Sequence, residues 1–248
     1  SRGLGDVYKR QPDMQLPPPS KIKRYLKYLP YLPKTIWFNF HYLPYRQAVK
    51  LPIILYKPKL KKCKGKVQID APIKSGMICL GVPIVSIYPN AGISWEHRGT
   101  IRFQGKCIIG NNSYISTGAS STLNIGHNFN ATTTLKLVCY HAISFGQDVL
   151  IGWDNLFCDT DFHACVKMDG EKSRGYAPIK IGNNNWFAMK CMTLKNTHTP
   201  DFCIVGAGSL LIKDYSAYPK HCLIAGQPAV FIKAGIYRDP ENDTIEYK

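Results

Sequence analysis

The chain has 248 residues, 45% of them hydrophobic, enough for one large core or two small ones. No stretch of eighteen uncharged apolar residues occurs, so no segment reads as a membrane-crossing helix, and none reads as a secretory signal. The net charge of +16 is uneven: residues 1–66 carry sixteen Lys/Arg against two acids, residues 67–248 sixteen against fourteen. Basic bias of this kind points to anionic partners. The nine cysteines are odd in number and scattered, with no C-x-x-C pair. That argues against a disulfide framework or a zinc knuckle and for a reducing compartment.

Residues 1–13 show no apolar period and are set aside as a leader, with Met14 read as the start of the fold-bearing chain. Residues 14–66 are rich in Pro, Tyr and Lys. They hold Pro17-Pro18-Pro19, then the cluster Trp37, Phe38, Phe40, Tyr42 and Tyr45, then Lys57 through Lys66 in close succession. This stretch is predicted to be an irregular N-terminal cap over the open end of the regular domain C-terminal to it. Aromatics mixed with lysines also suit contact with a membrane surface. No nucleic-acid recognition module is visible, and nucleic acid is not an expected partner.

Regular structure is predicted to begin near Val67. Phe103, Ile109 and Ile115 are spaced by six, as are Ile125, Ala131, Leu137 and Ile143. Phe145, Ile151 and Phe157 continue two residues out of phase, which implies a small insertion. The longest ladder is Ile181, Phe187, Thr193, Thr199, Val205, Leu211, Ala217 and Leu223. A period of six fits neither a helix nor a flat strand. It fits a parallel β-helix in which each hexad is one short strand and one tight turn. Six apolar-Gly dipeptides, among them Ile125-Gly126 and Ile181-Gly182, mark the crowded corners. Asn183, Asn184 and Asn185 supply a residue type that tolerates left-handed turn angles. An ordinary antiparallel sandwich with Gly turns and a right-handed parallel β-helix, whose coils are longer and less regular, are the rival readings.

The pattern breaks between Phe157 and Ile181. The segment Cys158-Asp159-Thr160-Asp161-Phe162-His163-Ala164 runs into a polar stretch, giving a predicted loop over 158–180. A loop thrown from a rigid scaffold is a common seat of function. The β-helix is predicted over 67–230, with residues 231–248 as a C-terminal tail.

From about Ile109 to Lys233 the chain resembles the hexapeptide-repeat acyltransferases, a family that includes galactoside and serine acetyltransferases and capsule O-acetyltransferases. The resemblance rests on Asp159-Thr160-Asp161-Phe162-His163, on Ile181-Gly182-Asn183-Asn184-Asn185-Trp186-Phe187-Ala188, on Val205-Gly206-Ala207-Gly208-Ser209, on Lys213-Asp214 and on Ala225-Gly226-Gln227-Pro228. It implies an all-β, left-handed parallel β-helix and a homotrimer with active sites between neighbouring prisms. It also implies acetyl-CoA as co-substrate. His163 falls on the family's catalytic histidine. Ala207, Gly208 and Ser209 fall where backbone meets the pantetheine arm, and Ala188 keeps a small residue at the matching corner. Lys213 and Lys233 fall on positions near the CoA phosphates. The residues around Ala131 to Tyr140 do not match the galactoside enzyme, so its substrate does not carry over.

Acyl transfer from a thioester to an alcohol needs a base for the hydroxyl proton, and neutral imidazole serves near neutral pH. His163 is the expected base, with Asp161, Asp159 or a backbone carbonyl to hold its other ring nitrogen. The remaining histidines, His97 and His198 among them, are read as structural. The expected reaction is O-acetylation of a saccharide, a cell-surface polysaccharide or its lipid-linked precursor, in the cytoplasm or at the inner membrane face. An antibiotic hydroxyl is the alternative acceptor. A γ-carbonic-anhydrase-like metal enzyme would need three histidines such as His127, His141 and His163. None of these has a ligand-like pattern, and no metal is expected. A non-catalytic scaffold is the third reading.

Overall fold

The computed structural model describes residues 26–243. The chain winds as a three-sided parallel β-helix with a nine-stranded, a seven-stranded and a five-stranded sheet, here called the first, second and third faces. Up to Ile179–Ile181 each turn lays one strand on each face in that order, as in Cys107–Gly110, Ser113–Thr117 and Thr122–Ile125; the later strands lie on the first and second faces. We call the bends between first and second, second and third, and third and first faces the first, second and third corners. The all-β coil of parallel strands expected from the hexad spacing is what the chain forms.

Register explains the spacing. Ala131 pairs with Ile109 below and Ile151 above on the first face, and Leu137 pairs with Ile115 and Phe157 on the second. All of these residues face inward and are buried. Removing this surface from water stabilises the coil by about 25 cal/mol per Å². Phe129, Phe145, Phe157 and Phe187 add a run of rings down the axis, with centroids 4.9, 5.0 and 5.2 Å apart. A Cβ on Gly126 would run into the Gly146 carbonyl one coil up, which is why that corner takes glycine. The third corner turns through a stack of left-handed residues: Asn128, Asp148, Asn184, Phe202 and His221. Only part of this column has the residue types that favour such angles.

The structure revises four expectations. The two-residue phase shift is not an insertion: the strand Ala142–Phe145 turns both Ile143 and Phe145 inward, stacked on Leu123 and Ile125. The ladder also slips at its end. Tyr215 is fully buried while Ala217 is exposed, and Ile224, not Leu223, pairs with Val205 in the core. The bulky Tyr215 fills space that a small inward residue would leave open. The coil starts at Ile53–Leu55 on the first face and Pro58–Cys63 on the second, ahead of Val67. A register shift between Leu60 and Lys62 hides the alternation there.

Finally, the cap is not irregular. It holds an eleven-residue helix, α1 (Leu32–Tyr42), whose Thr35, Phe38 and Asn39 are buried. The strand Ile53–Leu55 lies at a sheet edge, where backbone groups need partners. Asn39 supplies them: its amide donates to the Ile53 carbonyl at 2.7 Å and its Oδ1 accepts from the Ile53 N–H at 3.1 Å. Thr35 Oγ1 accepts from the Leu55 N–H at 3.2 Å. At the far end, Ala229–Ala234 returns antiparallel to Cys222–Gly226 and closes the first face.

Candidate active site

The loop leaves the prism at the second corner, after Leu156–Cys158, and returns at Ile179–Ile181 on the third face. Its root is rigid. Asp159 is fully buried, and its carboxylate accepts the N–H groups of Tyr140 at 2.7 Å and His141 at 2.9 Å in the coil below. Beyond it the loop is an arm whose two sides pair antiparallel. Thr160 bridges Tyr176, and Val166 bridges Lys172. The Asp161 N–H donates to the Gly175 carbonyl at 2.7 Å. Phe162 takes a left-handed conformation, φ 60°, which is costly for a bulky residue. Its ring meets Tyr140 edge-on at 4.8 Å. That bend presents His163 to solvent on the arm's outer part.

Neither carboxylate expected to orient His163 does so within the chain. Asp159 is committed to the backbone below. Asp161 forms an ion pair with Lys195. The reason is register: Leu194 sits directly over Cys158, so Lys195 stands one coil above the arm's root. Lys195 was not singled out from the sequence. Its signal was there in the hexad count, because it follows Thr193 by two as Asp159 follows Phe157. Tyr176 is a second addition, packed on His141 at 4.8 Å and under the Arg174 guanidinium at 4.6 Å. At the arm's root the Cys158 thiol is half-buried and donates to the Thr160 carbonyl at 3.1 Å. Burial, then the charges of Asp159 and Asp161, push its pKa up and disfavour a nucleophilic thiolate.

The small residues expected near the co-substrate lie elsewhere, at the first corner. The Ala188 N–H donates to the Val205 carbonyl at 2.9 Å, and the Gly208 N–H to the Met189 carbonyl at 2.9 Å. Ala207 is exposed. Ser209 is buried; its hydroxyl donates to the Gly206 carbonyl at 2.6 Å and accepts from the Gly226 N–H at 3.2 Å. It ties coils together. Lys213 is at the second corner, its ammonium 5.5 Å from the Tyr215 ring and 6.0 Å from that of Tyr218. Lys233 is exposed on the closing strand, opposite Leu223. The structure therefore brings Asp161, His163 and Lys213 to one corner and Ala188, Ala207, Gly208 and Ser209 to another. A cavity of about 480 Å³ at the third corner, lined by Asp70, Lys74, Gln104, Lys106 and His127 among others, holds none of them.

Among the described residues no group of three or more His, Cys, Asp or Glu side chains could hold a metal ion. His127 and His141 sit at different corners, the third and the second.

No family model matches the chain. It is 29% identical over 160 residues to galactoside O-acetyltransferase of Escherichia coli K12, an alignment covering 62% of this chain and 76% of that protein. It is 27% identical over 199 residues to an uncharacterized 24.8 kDa protein in the cps region of Klebsiella pneumoniae, covering 79% and 86%. Among solved structures, the polySia-specific acetyltransferase NeuO aligns over 76% of this chain and 85% of its own, with 21% identity and a TM-score of 0.48. In its hexad coil, its quoted motifs and its sequence, the chain is similar to the hexapeptide-repeat acetyltransferases.

Proposed function

We propose that the chain transfers an acetyl group from acetyl-CoA directly to a saccharide hydroxyl, with His163 as general base. The observation that carries this is the arm: an exposed imidazole on a hairpin whose root is pinned by a buried carboxylate to a rigid prism. His163 takes the hydroxyl proton as the oxygen attacks the thioester carbonyl, and returns it to the departing thiolate. General-base help of this kind is worth roughly 10² to 10⁴ in rate. Ala188, Ala207 and Gly208 put small residues along the first corner for an extended pantetheine chain to lie against, and Lys213 and Lys233 carry the charge to meet phosphates.

Because imidazole and small-residue corner lie on different edges of one prism, a complete site needs a second copy. A homotrimer supplies it, with the arm of one copy against the first corner of the next. The surface supports this arrangement. Over the last coils the outward side of the second face carries Leu156, Met192, Leu194, Leu210 and, just past its last strand, Ile212, partly or fully exposed. The third face turns Gln68, Arg102, Asn124, Ser144 and Lys180 outward. Apolar faces are the ones buried between subunits.

The acceptor we infer is a cell-surface polysaccharide or its lipid-linked precursor. A relative named for galactoside O-acetylation and another placed in a cps region support a sugar. All nine cysteines are free, which suits the cytoplasm. No helix among the described residues is long and apolar enough to cross a membrane. The test is thiol release from acetyl-CoA across a panel of sugar and antibiotic acceptors. Sugar-dependent release lost in His163→Ala supports the reading. Release only with antibiotic hydroxyls, or an unaffected variant, overturns it.

A further inference from the structure

A helix on a protein surface normally turns its polar side to water. Helix α1 does not. Its inner side buries Thr35, Phe38 and Asn39, yet its outer side carries Leu32, Ile36, Trp37 and Phe40, the last two close to half exposed at 47% and 46%. The apolar surface continues past the helix. The Phe40 ring meets that of Tyr45 at 6.0 Å, and Tyr45, Val49, Leu29 and Leu26 are exposed as well. A contiguous exposed apolar surface of this kind marks an interaction site.

Basic residues border this patch. From 26 to 66 the chain has ten Lys/Arg and no Asp or Glu. Helix α1 lies along the strand Pro58–Cys63: Lys34 Nζ donates to the Pro58 carbonyl at 3.4 Å, and His41 Nε2 hydrogen-bonds the Cys63 carbonyl at 2.7 Å. Trp37 stacks on His41 at 4.6 Å, so its ring stands beside that strand. Lys59, Lys61, Lys62 and Lys64 are exposed along it. Among the described residues the acid paired with this edge is Glu96, 3.4 Å from Lys62 and 2.9 Å from Arg98.

We propose that this end of the prism docks on an anionic lipid bilayer, with the outer side of α1 at the headgroup boundary and the lysine edge on acidic headgroups. Charge selects this occupant. A second copy would bring a patch of the same sign. The chain's own residues 1–25 carry six Lys/Arg against two Asp, so they too match the sign of the patch rather than complement it. Aromatic and branched apolar side chains interleaved with lysines suit a surface that is apolar inside and anionic outside. This deepens the localisation proposed above and does not require acetyl transfer to occur.

The experiment is sedimentation of the intact protein with phosphatidylcholine vesicles, with and without phosphatidylglycerol, while turnover on a soluble acceptor is followed in parallel. The protein is expected to bind the phosphatidylglycerol vesicles and to leave them at high salt. Lys59→Glu/Lys61→Glu/Lys64→Glu should weaken binding by about a hundredfold, at roughly fivefold per lysine. Trp37→Ala/Phe40→Ala should weaken it by about tenfold. Both variants should keep turnover and their thermal midpoint. No binding to phosphatidylglycerol vesicles, equal binding to pure phosphatidylcholine, or an unaffected charge-reversed variant overturns the inference. So does tighter binding to duplex DNA than to vesicles. Wild-type protein that binds the phosphatidylglycerol vesicles but shows no turnover would instead count against the catalytic reading and leave this one standing.

Discussion

The first and second corners of the same prism are built from opposite chemistry. At the first, successive coils place Ala188, Met189, Gly206, Ala207 and Gly208, and the hydrogen bonds there come from backbone N–H groups and uncharged side chains such as Ser209, Asn155 and Gln227. At the second they place Asp159, Asp161, Lys195 and Lys213, and charged side chains hold the turns. In the proposed reading the first edge receives the co-substrate and the second projects the base. The second corner also holds two histidines of opposite fate. His163 is exposed on the arm. His97, lower in the same corner, is buried, with Nδ1 bonded to Thr117 Oγ1 at 2.7 Å and Nε2 to the Lys66 carbonyl at 3.0 Å. Of these two, the exposed one is the one that the interrupting arm carries.

The contrast can be broken in several places. The largest effect is expected at His163. His163→Ala should lower kcat by about 10² to 10⁴ with acetyl-CoA binding retained, measured by steady-state kinetics beside calorimetric titration. Next is the first corner. Ala207→Trp should raise the KM for acetyl-CoA at least about tenfold while leaving the thermal midpoint near wild type, since Ala207 faces solvent. Third is the pair holding the arm. Lys195→Met should cost about tenfold in kcat with little change in stability, because half-exposed ion pairs contribute roughly 0–1 kcal/mol. A large stability loss would make Lys195 a structural residue.

The smallest effect is a pH dependence of stability from His97. Burial lowers its folded pKa, against the smaller upward pull of the Lys66 carbonyl. The unfolded chain then binds the proton more readily than the folded one. The contribution is whole above an unfolded pKa of about 6.5 and is lost as pH falls through that value toward the folded pKa. The thermal midpoint should drop between about pH 7 and 5, and His97→Asn should flatten that slope without changing the pH profile of kcat.

Much of the coil could be read from spacing because inward positions from Ile181 to Leu211 recur every six residues. The reading failed where packing departs from one inward residue per hexad. Ile143 and Phe145 share a strand, and Tyr215 fills space that a smaller residue would leave. The first strands were missed because lysines and a register shift mask Pro58–Cys63. Helix α1 was missed because prolines and aromatics suggested irregular chain, although Thr35 and Asn39, four apart, were the polar groups a sheet edge requires. At the site, the motif ending in His163 is local and was visible. The pairing of Asp161 with Lys195 spans a loop, and only the register of successive coils reveals it.

The central claim is that arm and small-residue corner from different copies make one site. Subunit complementation tests it directly. His163→Ala and Ala207→Trp chains, each inactive alone at low acetyl-CoA, are co-expressed and purified as mixed assemblies. If neighbouring copies share a site, random mixing restores about a quarter of wild-type turnover, since half the arms and half the corners are intact and pair independently. If each chain held a whole site, every site would keep one lesion, and the mixture would stay as inactive as its parts.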